Sequence, residues 1–186
     1  MFGRVAFYGF AFGSLSASMV LINFMNRLFM TRSFASVMPL IGNVLIIGFA
    51  VYLFVKSLMR QDVHEKLVQS SGKPVSLGKT LFGSLVLALI AALCNIGAYS
   101  HIQNNQKEEF GLFKTMQTKA IYQAHNTSPE KVSTLDKKTQ KTIQESLVFL
   151  DENLSVGSYA RVELQMYLSI ALIVTLLVYV ANSKKQ

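Results

Sequence analysis

The chain has 186 residues, of which 51% are hydrophobic and only 15% are charged. An ordinary soluble domain carries about 25% charged residues, so this composition is typical of a membrane protein. The formal net charge is +8, but Lys and Arg gather beside apolar runs and form no basic face interleaved with aromatic residues. The composition therefore argues against nucleic acid as a partner. A single cysteine, Cys94, excludes an internal disulfide and a cysteine-cluster metal site.

Four apolar stretches are long enough to cross a bilayer, which requires about 20 apolar residues in a helix. They cover residues 5–24, 37–55, 81–102 and 164–181. Their interiors contain no Asp, Glu, Lys or Arg. The sequence therefore predicts an all-α fold in which an integral membrane four-helix bundle is built from these spans.

The first span carries small residues at a regular spacing. Gly9, Gly13 and Ala17 recur every four positions, which allows close approach of a second helix backbone. Packing against the protein's own spans is favoured, and homodimerisation through this face is the alternative. Asn43 and Asn95 are polar groups at membrane depth, and each is predicted to hydrogen-bond to another helix. These five residues form the predicted helix-packing set.

The segment 56–80 links spans two and three, and its sequence "GKPVSLGKT" invites comparison with a phosphate-binding loop. That loop has four residues between its first Gly and the Gly-Lys-Thr, whereas five separate Gly72 from Gly78 here. Pro74 also removes a backbone donor that would be needed to bind phosphate. We interpret the stretch as the entry to the third span, with Ser76 as the helix N-cap.

The distribution of Lys and Arg predicts the orientation of the chain. Eight basic residues fall on one side of the membrane: Arg4, Lys56, Arg60, Lys66, Lys73, Lys79, Lys184 and Lys185. Both termini are therefore predicted to face the cytoplasm, and residues 103–163 the opposite side. Lys66, Lys73 and Lys79 form a predicted cytoplasmic basic face for anionic membrane lipid or a cytoplasmic partner.

Residues 103–163 show helical periodicity in two stretches, and "HNTSPEK" lies between them with Ser128 and Pro129 suited to begin a helix. In the second stretch apolar residues step by four, three and four: Ile143, Leu147, Leu150 and Leu154. The sequence predicts an extra-cytoplasmic helical hairpin between spans three and four. Its predicted outer packing surface consists of Phe110, Phe113, Leu147 and Leu150. The hairpin could fold on itself, on the bundle or on a partner.

No catalytic constellation is recognisable. His64, His101 and His125 are divided between the two sides of the membrane under the predicted topology, and neighbouring acidic residues on a helix do not face each other. The sequence therefore predicts no catalytic, cofactor-binding or metal site and no enzyme. Absence of ionisable residues from the span interiors also argues against an ion-coupled transporter.

The stretch "GKPVSLGKTLFGSLVLALIAALCNIGAYSHI" follows two short spans and precedes a variable loop and a terminal span ending in lysines. This arrangement resembles a four-span integral membrane family of Bacteroidota that has no assigned activity. The shared features are the Ser/Gly-Lys entry to the third helix and the small residues along it. The resemblance implies a bacterial inner-membrane protein, with a polyprenol-phosphate type glycosyltransferase as a partner.

Two functions are compatible with these observations. The first is a non-catalytic accessory or scaffold subunit of an inner-membrane complex. The second is a lipid-linked substrate carrier or flippase accessory that works with a glycosyltransferase, which requires a groove lined by Asn95 and Tyr99 and reaching Lys79. The predicted organisation is three spans with their basic link in 1–102, a periplasmic hairpin in 103–163, and the fourth span and cytoplasmic tail in 164–186.

Overall fold

The computed structural model describes residues 1–25, 38–68 and 76–183, and in these residues the protein is helical without any strand. The α-helices are α1 (Phe2–Met25), α2 (Met38–Val68), α3 (Leu77–Asn105), α4 (Lys107–Ala124), α5 (Lys137–Asn153) and α6 (Val156–Ser183). A 3₁₀ helix at Pro129–Thr134 lies between α4 and α5. The prediction of an all-α fold is confirmed.

Four of these helices are long and apolar enough to cross a membrane. The spans are Phe2–Asn23, Gly42–Met59, Leu77–Asn105 and Val156–Asn182. They pack together as one bundle, in which α3 contacts each of the other three. Large apolar side chains such as Phe7 and Leu177 point outward from the bundle, as a helix surrounded by lipid requires. The chain is a multi-pass membrane protein.

The fourth span begins earlier than the sequence predicts. Helix α6 starts at Val156 because the Ser155 hydroxyl accepts a hydrogen bond from the Ser158 backbone N–H at 3.2 Å and caps the helix. Arg161 and Glu163 therefore belong to the helix that forms the fourth candidate span, and the predicted boundary between residues 163 and 164 falls within that helix. The predicted span 164–181 itself contains no charged residue, and these two ionisable residues lie in the part of the helix that precedes it.

The predicted link 56–80 is partly helical. Helix α2 continues to Val68, since the link contains no Gly or Pro before Gly72 to end it. Lys66 lies in the last turn of α2, and Lys73 lies outside the described residues.

Helix α3 begins at Leu77, and Ser76 caps it as predicted by accepting the Lys79 backbone N–H at 3.2 Å. The Lys79 side chain is exposed at this end of the bundle. Of the predicted basic face, Lys79 is thus the residue whose side chain the structure places at the surface.

Close packing of α1 on α3 explains the small residues of the first span. A Cβ atom added to Gly13 would lie 2.8 Å from the Ala91 Cα atom, and one added to Gly9 would lie 2.9 Å from the Ile90 Cβ atom. The two glycines therefore face the protein's own third span. Ala17 is only half-buried, and the buried stripe of α1 continues instead through Ser16 and Val20.

Helices α4 and α5 contact each other but bury little. No residue of α4 is buried, and Ile143 is the one buried residue of α5. Phe110 and Phe113 pack against Val20 and Ile102 at the end of the bundle. The α4–α5 pair is therefore held partly by the bundle and only thinly by its own core.

The segment between α4 and α5 differs in detail from the prediction. Ser128 and Pro129 begin the short 3₁₀ helix, and Ser128 makes no side-chain capping bond to it. The cap of α5 is Asp136, whose carboxylate accepts the Thr139 N–H at 2.9 Å and the Thr139 hydroxyl at 2.6 Å. These bonds, led by the one from the hydroxyl, hold the pKa of Asp136 below its ordinary value.

Substitution of Gly13 by Ala should destabilise the bundle. The new methyl group would meet the backbone of α3, which cannot move aside like a side chain, and overpacking of this kind costs about 1–3 kcal/mol. Gly97→Ala on the exposed face of α3 is the matched control, because nothing lies within 4 Å of its added Cβ atom. Unfolding free energies in the same detergent compare the two. Equal stability of both variants would contradict the α1–α3 contact.

Acid should loosen the first turn of α5. Because the pKa of Asp136 is lowered in the folded protein, its capping bonds stabilise the turn above the unfolded-state pKa of about 3.9 and are lost as the pH falls through the folded-state value. Amide exchange of residues 137–140, corrected for intrinsic rates, measures this. The Asp136→Asn variant keeps a capping side chain but has no titrating carboxyl group at that position. The protection of residues 137–140 from amide exchange in this variant should therefore not change over that pH range.

Candidate functional site

Polar side chains from all four long helices meet inside the bundle. The Asn95 Nδ2 atom of α3 donates to the Tyr167 hydroxyl of α6 at 3.1 Å. The Tyr167 and Ser16 hydroxyls are 2.7 Å apart, and the Ser16 hydroxyl donates to Asn43 Oδ1 of α2, also at 2.7 Å. Since Ser16 has one hydrogen, Tyr167 must be the donor between them. The bonds then run in one direction from Asn95 to Asn43, an arrangement in which each bond polarises the next.

Glu163 is the ionisable member of this polar cluster. Its side chain is 7% exposed, and its Oε2 atom accepts a hydrogen bond from Asn95 Nδ2 at 3.1 Å. Tyr159 and Tyr167 also interact with the carboxyl group. Among the described residues, no Lys, Arg or His forms an ion pair with it. A buried ionisable residue in a membrane-spanning helix is rare and by default marks a functional site.

Helix geometry brings the cluster together. Tyr159, Glu163 and Tyr167 are spaced four residues apart on α6, and Asn95 and Tyr99 have the same spacing on α3, so each set lies on one helix face. The two faces meet in the bundle. This repeated spacing was the available sequence signal for Tyr159, Glu163 and Tyr167, and sequence analysis missed it. Ser16 gave no comparable signal.

The cluster extends to the corner between α5 and α6. The rings of Tyr99 and Tyr159 stack with centroids 3.9 Å apart and planes 10° from parallel. The Tyr99 hydroxyl donates to the Leu154 carbonyl at 2.9 Å, which holds the corner against α3. Tyr99 also makes an edge-to-face contact with Phe110 at the start of α4. The polar interior is thus connected to both ends of the α4–α5 pair.

Asn95 is the central residue of the cluster. It is fully buried, and its Nδ2 atom, with two hydrogens, faces three acceptors: Glu163 and the hydroxyls of Tyr159 and Tyr167. Its Oδ1 atom has no partner among the described residues. No group of three or more His, Cys, Asp or Glu side chains suited to a metal ion occurs in the described part of the chain. The chemistry that the cluster can supply is hydrogen bonding and proton exchange.

The structure separates some predicted site residues and joins others. Asn43 and Asn95 each find an interhelical partner, in one shared cluster. Lys79 lies in the first turn of α3, whereas Asn95 and Tyr99 lie beyond its middle and are buried. A lipid carrier would require a groove that runs from Asn95 and Tyr99 to Lys79. At the Asn95 end, the amide that would line it is instead hydrogen-bonded to side chains of α6, and the Tyr99 ring is stacked on Tyr159.

A second feature lies between α4 and α5, where an open groove of about 690 Å³ has a mainly apolar lining. Ile121 and Ala124 line one wall, and Phe149 and Leu150 line the other. Phe149 is 67% exposed. The structure divides the predicted outer packing surface. Leu150 lines the groove, whereas Leu147 is half-buried and does not line it. The two phenylalanines pack on the bundle.

Comparison with known proteins assigns neither feature. No family model, curated protein or solved structure matches the chain. The resemblance to a Bacteroidota family stays a prediction, and function has to be argued from the cluster and the groove.

Replacement of Asn95 by Ala should destabilise the bundle by about 1–3 kcal/mol, because it leaves the buried Glu163 carboxyl without its amide donor. Asn104→Ala is the control, since Asn104 is exposed and bonds only to Ser100 on its own helix. Unfolding free energies in detergent measure both variants. If Asn95→Ala lowers the free energy of unfolding no more than Asn104→Ala does, the cluster has no structural role of this kind.

Proposed function

We propose that the protein is a non-catalytic accessory subunit that acts as a scaffold in a membrane complex, with α4 and α5 as its partner-binding element. The observation that carries this proposal is the open apolar groove between those helices. An exposed aromatic residue beside a groove is typical of the anchors that dominate binding energy at protein interfaces, and Phe149 has that position.

The bundle is suited to be the anchor of such a subunit. Its interior is filled by large apolar side chains such as Phe54 and Leu87, and its polar groups are largely paired. The groove in the α4–α5 pair, by contrast, has space for a partner. This contrast supports a scaffold over a lipid-linked substrate carrier, which would need the open space between the spans.

The location and partners form part of the same proposal. The excess of Lys and Arg on one side supports an orientation with both termini in the cytoplasm and α4 and α5 on the opposite side. The resemblance supports the bacterial inner membrane, in which α4 and α5 would be periplasmic. The exposed Lys79 would then meet anionic membrane lipid at the cytoplasmic surface. The resemblance supports a polyprenol-phosphate type glycosyltransferase as the protein partner. No cofactor and no nucleic acid is invoked.

Affinity purification of the tagged protein in mild detergent, followed by mass spectrometry of proteins and lipids, tests the proposal. We expect a stoichiometric membrane protein to be recovered with the wild-type chain. Recovery of the chain alone with a specific polyprenyl or anionic lipid would overturn the scaffold function and favour lipid handling.

The same purification tests the role of the groove. Phe149→Ala should weaken binding of the partner by about thirtyfold or more, since loss of a central aromatic anchor costs about 2 kcal/mol or more and each 1.4 kcal/mol is tenfold. Val148→Ala is the control, because Val148 is the exposed neighbour on α5 that does not line the groove. If the two variants retain the partner equally, the complex does not use this groove.

A further inference from the structure

The described residues that face Glu163 are neutral. From α3 it faces Asn95, with Tyr99 and Cys94 near the same cluster, and from its own helix it faces Tyr159 and Tyr167. The described members of the cluster from α1 and α2 are Ser16 and Asn43, which are connected to it through Tyr167 and are also uncharged. Arg161 is exposed on α6 and forms no ion pair with Glu163 among the described contacts. Among the described residues, the buried carboxyl group therefore has no cationic partner.

A carboxylate in this position would be costly. Removing one ion from water costs several kcal/mol even after the protein relaxes, and the cost is offset only by an oppositely charged partner or a full set of donors. The described donors to Glu163 are the Asn95 amide and the tyrosine hydroxyls, and all of them are neutral. Their hydrogens are also shared, since the two on Asn95 Nδ2 face three acceptors and that of Tyr167 goes to Ser16. A neutral carboxylic acid in the same place carries no such charge.

The Asn95 Oδ1 atom is a second unsatisfied group in the cluster. It is a fully buried acceptor with no donor among the described residues. The cluster is therefore only partly hydrogen-bonded, and a charge on Glu163 would add to the cost of its unpaired polar atom.

We propose that the cluster around Glu163 is a proton-binding site that controls how firmly α6 and the α5–α6 corner are held against α3. The carboxylate takes up one proton from hydronium, which leaves water, and the neutral acid then bonds to Asn95 inside the bundle. Loss of the proton leaves an uncompensated charge, which draws α6 away from α3 toward water. The Tyr99–Tyr159 stack and the Tyr99 bond to Leu154 transmit this change to the corner.

This inference does not depend on the proposed scaffold function. If that function also holds, the base of the α4–α5 pair becomes responsive to proton availability, because α5 joins α6 at the corner that Tyr99 holds.

Infrared spectroscopy of the full chain in lipid nanodiscs, as the pH is raised, tests the proton site. We expect a C=O stretching band of a buried, protonated carboxyl group that disappears at high pH. Glu163→Gln should lose the band, and Glu152→Gln, at an exposed position of α5, should retain it. A folded wild-type protein without such a band at any pH would overturn the proposal.

Hydrogen exchange of residues 150–158 tests the coupling. After correction for intrinsic rates, the exchange rate in the wild type should rise over the pH range in which the band disappears. The rise should be at most about tenfold per pH unit, because a single linked proton can give no steeper pH dependence. Glu163→Gln should abolish this rise, and an unchanged rise in that variant would refute the coupling. Should that variant fail to fold, Tyr99→Phe provides the test, because it should keep the infrared band while weakening the pH response at the corner.

Discussion

The hydrogen bonds of the Asn95 side chain are the interaction on which the bundle depends. Lipid chains are as apolar as the helices they surround, so apolar side chains alone do not specify how the helices pair. Asn95 joins α3 to α6 through Glu163 and Tyr167, and Tyr167 continues the connection to α1 and α2 through Ser16. Each helix can direct its polar residue of the cluster inward in only one rotation about its own axis. The cluster therefore fixes the register of all four helices.

Close contact between the backbones of α1 and α3 stabilises the bundle in addition to the cluster. Gly9 and Gly13 let α1 approach α3 closely, and dispersion between many atoms replaces the missing hydrophobic drive. The bundle thereby becomes a filled anchor, while α4 and α5 keep an open groove. Tyr99 connects the two parts, since it belongs to the polar interior and also holds the corner at Leu154. If both proposals hold, a proton bound at Glu163 changes how the α5–α6 corner, and with it the partner-binding element, is held against α3.

Sequence reasoning succeeded where the signal was local. Hydropathy found four spans, and the Ser76 cap followed from residues within one turn. The start of α6 at Val156 was missed because Arg161 and Glu163 interrupt the apolar run. Charged residues lower the local hydropathy and therefore predict the end of a span. The cluster was only partly predictable. Asn43 and Asn95 signalled a need for partners, but which residues meet them depends on helix rotation, which tertiary packing decides.

A double-mutant cycle between Asn95 and Glu163 tests most directly whether the cluster is a connected interaction that holds the helices together. Unfolding free energies of Asn95→Ala, Glu163→Ala and the double variant would be compared with the wild type in one detergent. The account predicts that the double variant is less destabilised than the sum of the single variants by about 1 kcal/mol, within the range found for residues in one network. Additivity within about 0.3 kcal/mol would show that the two side chains act independently and would contradict it.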